Sequence, residues 1–126
     1  IKTIPMNSTI QLVRALKRNE MLGLLIDPPH ATSVVHVELF GDMARIPRGA
    51  AALALKTGAK VIPGAVVRLS NNRYQGLIDS PIDFKPTGNL PQDVTDLTRT
   101  ILASLERMVR LYPDQWYVFR PLWDES

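Results

Sequence analysis

The stretch Val34-Val35-His36-Val37-Glu38-Leu39-Phe40, then Gly41–Ile46, then Pro47-Arg48-Gly49-Ala50-Ala51-Ala52-Leu53-Ala54-Leu55-Lys56-Thr57-Gly58, sets a strand beside a slim helix. Strict alternation puts Val35, Val37 and Leu39 on one face of Val34–Phe40, with Val34, His36 and Glu38 on the other. Gly41–Ile46 reads as a loop. Pro47 suits the first turn of a helix and Gly58 suits its stop, so the helix is expected over Pro47–Thr57. Its alanines make it narrow enough to lie close against a sheet.

Downstream, Lys60–Leu69 is apolar and partly β-branched, Asn71-Asn72 marks a turn, and Arg73–Asp79 returns as a hairpin partner. Ser80–Pro91 carries three prolines and a glycine and reads as a loop. In the stretch Pro91–Tyr112, Val94, Leu97, Ile101, Leu105, Met108 and Tyr112 recur at steps of 3, 4, 4, 3 and 4. That is one face of a long helix, and Pro113 ends it. Upstream, a helix is expected from Ser8 to Asn19. The continuous apolar run Met21–Ile26 reads as a buried strand, stopped by Asp27-Pro28-Pro29. The order predicts an α/β fold, a mixed β-sheet flanked by helices, in a single domain over residues 1–126.

The 126 residues and mean hydropathy of -0.02 describe a globular chain. Its longest apolar runs, Met21–Ile26 and Ala50–Leu55, fall far short of a bilayer span. The absence of cysteine excludes a disulfide scaffold, a thiolate zinc site and a cysteine nucleophile. A formal charge of +3 suits an anionic partner, yet no basic run with interleaved aromatics points to nucleic acid. The chain opens Ile1-Lys2-Thr3-Ile4-Pro5 without an initiator Met, and Met6 as a start would strand five residues. That opening is expected of a partial domain.

Neither histidine, His30 or His36, forms a metal-ligand pair with the carboxylates, so no metal or cofactor is expected. Phosphate-binding glycine loops and nucleophile elbows are also missing from the sequence. Asp27 lies at the end of an apolar run, where ligands gather in open α/β sheets, or simply caps a turn. Arg45 and Arg48 bracket Pro47 at a helix entrance, whose free N–H groups favour anions; the alternative is a pair of surface arginines. Arg68 is a weaker candidate of the same kind. His36 faces away from the Val35, Val37 and Leu39 side, towards a site or towards solvent. The closing Trp116-Tyr117 pair reads as packing.

An ordered set of short motifs says more. Leu39-Phe40-Gly41-Asp42-Met43-Ala44, Pro47-Arg48-Gly49-Ala50-Ala51, Leu53-Ala54, Thr57-Gly58-Ala59 and Val61-Ile62-Pro63 lead to Arg68. Leu105-Glu106, Val109-Arg110 and Tyr112-Pro113-Asp114-Gln115-Trp116 then close the series. Together they resemble the lipid A biosynthesis lauroyl acyltransferases and the bacterial phosphatidylinositol mannoside acyltransferases, within the lysophospholipid acyltransferase superfamily. Upstream, Leu16-Lys17-Arg18 and Leu24-Leu25-Ile26-Asp27 fit the same pattern. Pro28-Pro29 and Arg120-Pro121-Leu122-Trp123 depart from it.

The resemblance implies the C-terminal part of such a fold and an O-acyltransferase. Its donor would be acyl-carrier protein or acyl-CoA, and its acceptor a lipid or glycolipid hydroxyl. It implies a parent protein at the cytoplasmic face of the bacterial inner membrane, held there by its N-terminal part, while these residues alone are soluble. The family's His-x4-Asp or His-x4-Glu base motif is absent: Val35 lies five residues after His30, and Gly41 five after His36. Catalytic residues are therefore expected elsewhere, and this chain alone is expected to be inactive. Phe40, Gly41, Arg45 and Arg48 would shape the acceptor site, with Asp27, His36 and Arg68 as its further candidates. Pro63 would belong to an apolar block that lines an acyl groove. The alternative is a non-catalytic lipid- or protein-binding remnant of the same fold. The apolar Met21–Ile26 run, short of elements to cover it, is expected to promote self-association.

Overall fold

The structure, a computed structural model, describes residues 2–5, 7–27, 31–119 and 121–123. Ile1, Met6, Pro28, Pro29, His30 and Arg120, which entered the sequence reading, lie outside the described residues. Helix α1 spans Thr9–Lys17, and β1 (Val34–Leu39) and β2 (Asp42–Pro47) form an antiparallel hairpin. Helix α2 covers Gly49–Thr57, β3 (Gly64–Arg68) pairs antiparallel with β4 (Tyr74–Ile78), and α3 runs from Leu90 to Leu111. A short 3-10 turn follows at Pro113–Gln115. The class is α/β as expected. Its described strands divide between two antiparallel pairs instead of joining in one sheet.

Two expectations are corrected by backbone hydrogen bonding. Residues 41–46 are no loop: Phe40 and Gly41, at φ 53° and 91°, make a two-residue turn between Leu39 and its register partner Asp42. The returning strand then alternates, burying Ala44 and Ile46 and exposing Met43 and Arg45. Pro47 is consequently the last residue of β2, opposite Val34, and α2 begins two residues later with Arg48 as its N-cap. Conversely, Met21–Ile26 forms no strand, because no described neighbour offers its backbone a ladder. Met21 is 91% exposed and Leu25 81%.

Elsewhere the punctuation acts as read. Gly58 closes α2 in the left-handed region at φ 73°, its N–H donating to the Ala54 carbonyl at 2.8 Å. Pro63 shortens the expected Lys60–Leu69 strand to Gly64–Arg68. Asn89 caps α3 by accepting from the Gln92 N–H at 3.3 Å.

Helix α3 is the shared element. Val94, Leu97 and Ile101 pack with Ala51 and Ala54 of α2 in one cluster, while Leu102 joins Val37, Leu39, Ala44, Ile46 and Leu122 in another. Its predicted stripe is core at the N-terminal end and half-buried at Leu105, Met108 and Tyr112. At the start of α3, buried Asp93 accepts from the Thr87 hydroxyl at 2.7 Å and from the Thr87 and Gly88 N–H groups. The Thr87 hydroxyl above all holds its carboxyl below the usual range. The chain's tail then returns to the hairpin. The Arg45 N–H donates to the Leu122 carbonyl at 2.7 Å, and the Trp123 indole donates to the Leu39 carbonyl at 3.3 Å.

Candidate functional site

An apolar cleft of about 320 Å³ opens between Leu24–Asp27, the Phe40 turn, β3 and the C-terminal half of α3. Asp27, Glu106, Tyr112, Gln115 and Trp116 bring polar side-chain groups to an otherwise apolar lining. Polar groups placed sparsely in an apolar wall are the usual means of orienting an amphipathic ligand.

The cleft is held by the end of α3 and the turn after it. Glu106 and Arg110 stand one helical turn apart, so their side chains meet, Arg110 Nη2 donating to Glu106 Oε1 at 2.6 Å. The second carboxylate oxygen of Glu106 accepts the Phe40 N–H at 3.2 Å. The Arg110 guanidinium, then the Phe40 amide, hold the Glu106 carboxyl below the ordinary glutamate range. The Arg110 guanidinium carbon also lies 5.1 Å from the Phe40 ring centroid, a cation–π arrangement. On the other side, the Trp116 ring tilts at 48° to Phe40 with centroids 5.7 Å apart. These contacts offset the cost of an aromatic residue at positive φ, of order 1–3 kcal/mol.

Pro113 stops α3 and redirects the chain so that Gln115 and Trp116 line the cleft. Gln115 binds both backbone groups of Arg68: the Arg68 N–H donates to Oε1 at 2.7 Å, and Nε2 donates to the Arg68 carbonyl at 2.9 Å. The Trp116 indole N–H donates to Asp27 Oδ2 at 3.1 Å. Three segments distant in sequence, at Asp27, Phe40 and Arg68, are thereby fixed by residues within one stretch of α3 and its exit. Trp116 packs as expected. Tyr117 does not: it is 73% exposed and stacks on Phe119 in the tail, with ring centroids 6.1 Å apart.

The sequence-derived candidates divide. Asp27 and Phe40 line the cleft together. Gly41 completes the turn beside Phe40, and Arg68 adjoins through its backbone. His36 and Arg45 are register partners on the exposed face of the hairpin, and Arg48 is half-buried at the N-cap of α2. Glu106, Arg110, Gln115 and Trp116 carry no site role in the residue-level reading. The i, i+4 spacing of Glu106 and Arg110 was the available signal. Among the described residues, no group of three His, Asp or Glu side chains could hold a metal ion, and no helix is long and apolar enough to cross a membrane.

Over residues 1–125 the sequence matches the family described as bacterial lipid A biosynthesis acyltransferase. It is similar to a phosphatidylinositol mannoside acyltransferase of Mycolicibacterium smegmatis, with 29% identity over 112 residues, covering 89% of this chain and 35% of that protein. A phosphatidylinositol mannoside acyltransferase of Mycobacterium tuberculosis is 26% identical over 112 residues, covering 89% of this chain and 34% of the relative. The chain thus spans about a third of the length of these curated relatives.

Proposed function

Because the chain belongs to the bacterial lipid A biosynthesis acyltransferase family, we propose that it forms the acceptor-side wall of a lipid or glycolipid O-acyltransferase. The donor in this reading is acyl-carrier protein or acyl-CoA, and the enzyme works at the cytoplasmic face of the bacterial inner membrane. One observation carries the reading: Glu106 near the end of α3 and Trp116 just after its exit turn bring the Phe40 turn and Asp27 together at an apolar cleft.

In such a transfer the acceptor oxygen bonds to the acyl carbonyl carbon, the carbon–sulfur bond breaks, and the thiol departs. The acceptor proton goes to a general base, a contribution of roughly 10²–10⁴ in rate. That base lies outside these 126 residues, which hold no His-x4-Asp or His-x4-Glu sequence. The role of this chain is orientation. Asp27 Oδ2 is engaged by Trp116, which fixes the carboxylate so that Oδ1 can accept an acceptor hydroxyl.

The missing motif also suits the second reading, a non-catalytic lipid- or protein-binding remnant. A hybrid separates them, with this chain replacing the matched 112 residues of the Mycolicibacterium smegmatis relative. Incubated with acyl-CoA and phosphatidylinositol mannoside, the hybrid is expected to form acylated product and the 126-residue chain alone none. A folded hybrid without transfer would favour the remnant. Transfer by the chain alone, abolished by His36→Ala, would place the base here instead.

A further inference from the structure

The hydrogen bonds at the ends of the β3–β4 pair fix which way each β3 residue points its backbone. The Leu69 N–H donates to the Arg73 carbonyl at 2.7 Å, and the Asp79 N–H donates to the Pro63 carbonyl at 3.0 Å. Residues 63 and 69 therefore face β4, and with them, by alternation, 65 and 67. Gly64, Val66 and Arg68 present their N–H and C=O groups to the opposite edge. At Arg68 the Gln115 amide occupies both groups, as a neighbouring strand would. At Gly64 and Val66 no described residue does so.

Across the same cleft, Leu22–Ile26 runs without a backbone hydrogen bond to any described residue. Two walls of one apolar cleft thus carry unpaired backbone. An acyl chain matches the apolar lining but bonds none of these groups. An extended polypeptide does both, as in strand addition to a sheet edge.

We propose that the outer edge of β3 seats a further β-strand, supplied by acyltransferase polypeptide outside these 126 residues. The relatives provide the material: the matched segment is about a third of their length. The seated strand is apolar towards the cleft and continues the edge that Gln115 closes at Arg68. This goes beyond the catalytic reading, and its readout is independent of acyl transfer.

Amide hydrogen exchange tests it on the 126-residue chain and on the hybrid described above. In the chain alone, the Gly64 and Val66 amides exchange freely while Val67 is protected; in the hybrid, both slow by about 100-fold or more. Val66→Pro, which removes an outward N–H, leaves Leu77 protected in the chain alone, whereas Val67→Pro, which removes an N–H facing β4, abolishes the protection of Leu77. Three results would overturn the proposal. One is a Val66 amide protected in the monomeric chain, and another is protection that appears with rising concentration of the chain, which assigns the edge to a second copy. The third is a folded hybrid whose Gly64 and Val66 amides still exchange freely. If the hybrid does not fold, the proline pair decides: equal damage from both variants rejects an open edge.

Discussion

Gln115 shows how one side chain can fix a structure that its own local sequence does not suggest. Its amide supplies one acceptor and one donor to Arg68, a pairing that neither a carboxylate nor a methyl group can reproduce. Gln115→Ala is expected to destabilise the chain by about 1–2 kcal/mol in urea unfolding, from two lost bonds. Gln115→Glu is expected to be no better, because a carboxylate would face the Arg68 carbonyl. Recovery of stability in Gln115→Glu would contradict the pairing. At this scale the sequence is partly legible. Asp27 stands out beside prolines and Phe40 by its place before Gly41, but the partners that join them lie 89 and 66 residues away. Separations of that size leave no local pattern to read.

At the scale of elements, legibility follows whether the signal is internal to the element. Helix α3 announces itself through the spacing of Val94, Leu97 and Ile101, because a helix satisfies its own backbone. Met21–Ile26 has the composition of a buried strand, yet a strand exists only with a neighbour. Strand β2 is hidden by the Gly41–Ile46 reading, although Ala44 and Ile46 alternate with Met43 and Arg45 and a two-residue turn precedes them. Leu97 is 3% exposed in the cluster with α2, so Leu97→Ala should cost about 2–5 kcal/mol through the cavity it leaves. Unfolding by urea measures it; a loss under about 0.5 kcal/mol, the scale of surface substitutions, would mean that α3 does not bear on α2 as described.

Across the whole molecule, Asp79, Asp93 and Glu106 all have carboxyls held below their ordinary range. The causes are Ser104 with Ser80 and Arg107 for Asp79, Thr87 for Asp93, and Arg110 with Phe40 for Glu106. Folded values below unfolded ones contribute stability that is complete above the unfolded carboxylate range, about 3.9–4.3, and lost as pH falls through the folded values. The melting temperature should therefore hold level from about pH 7 to 5 and drop steeply below about pH 4. Glu106→Gln should shrink that drop. A melting temperature indifferent to acid would contradict the three carboxylate roles.

Trp116, just beyond the exit turn of α3, positions Asp27 for an acyl acceptor, and steady-state kinetics of the hybrid carrying Trp116→Phe put that role to the test. Phenylalanine keeps a ring against Phe40 but removes the indole N–H from Asp27. Trp116→Phe is expected to lower kcat/KM for the glycolipid acceptor roughly 10–100-fold, the kinetic equivalent of about 1.5–3 kcal/mol, with acyl-CoA hydrolysis unchanged. Acceptor kinetics equal to those of the parent hybrid, or an equal loss in both reactions, would contradict it.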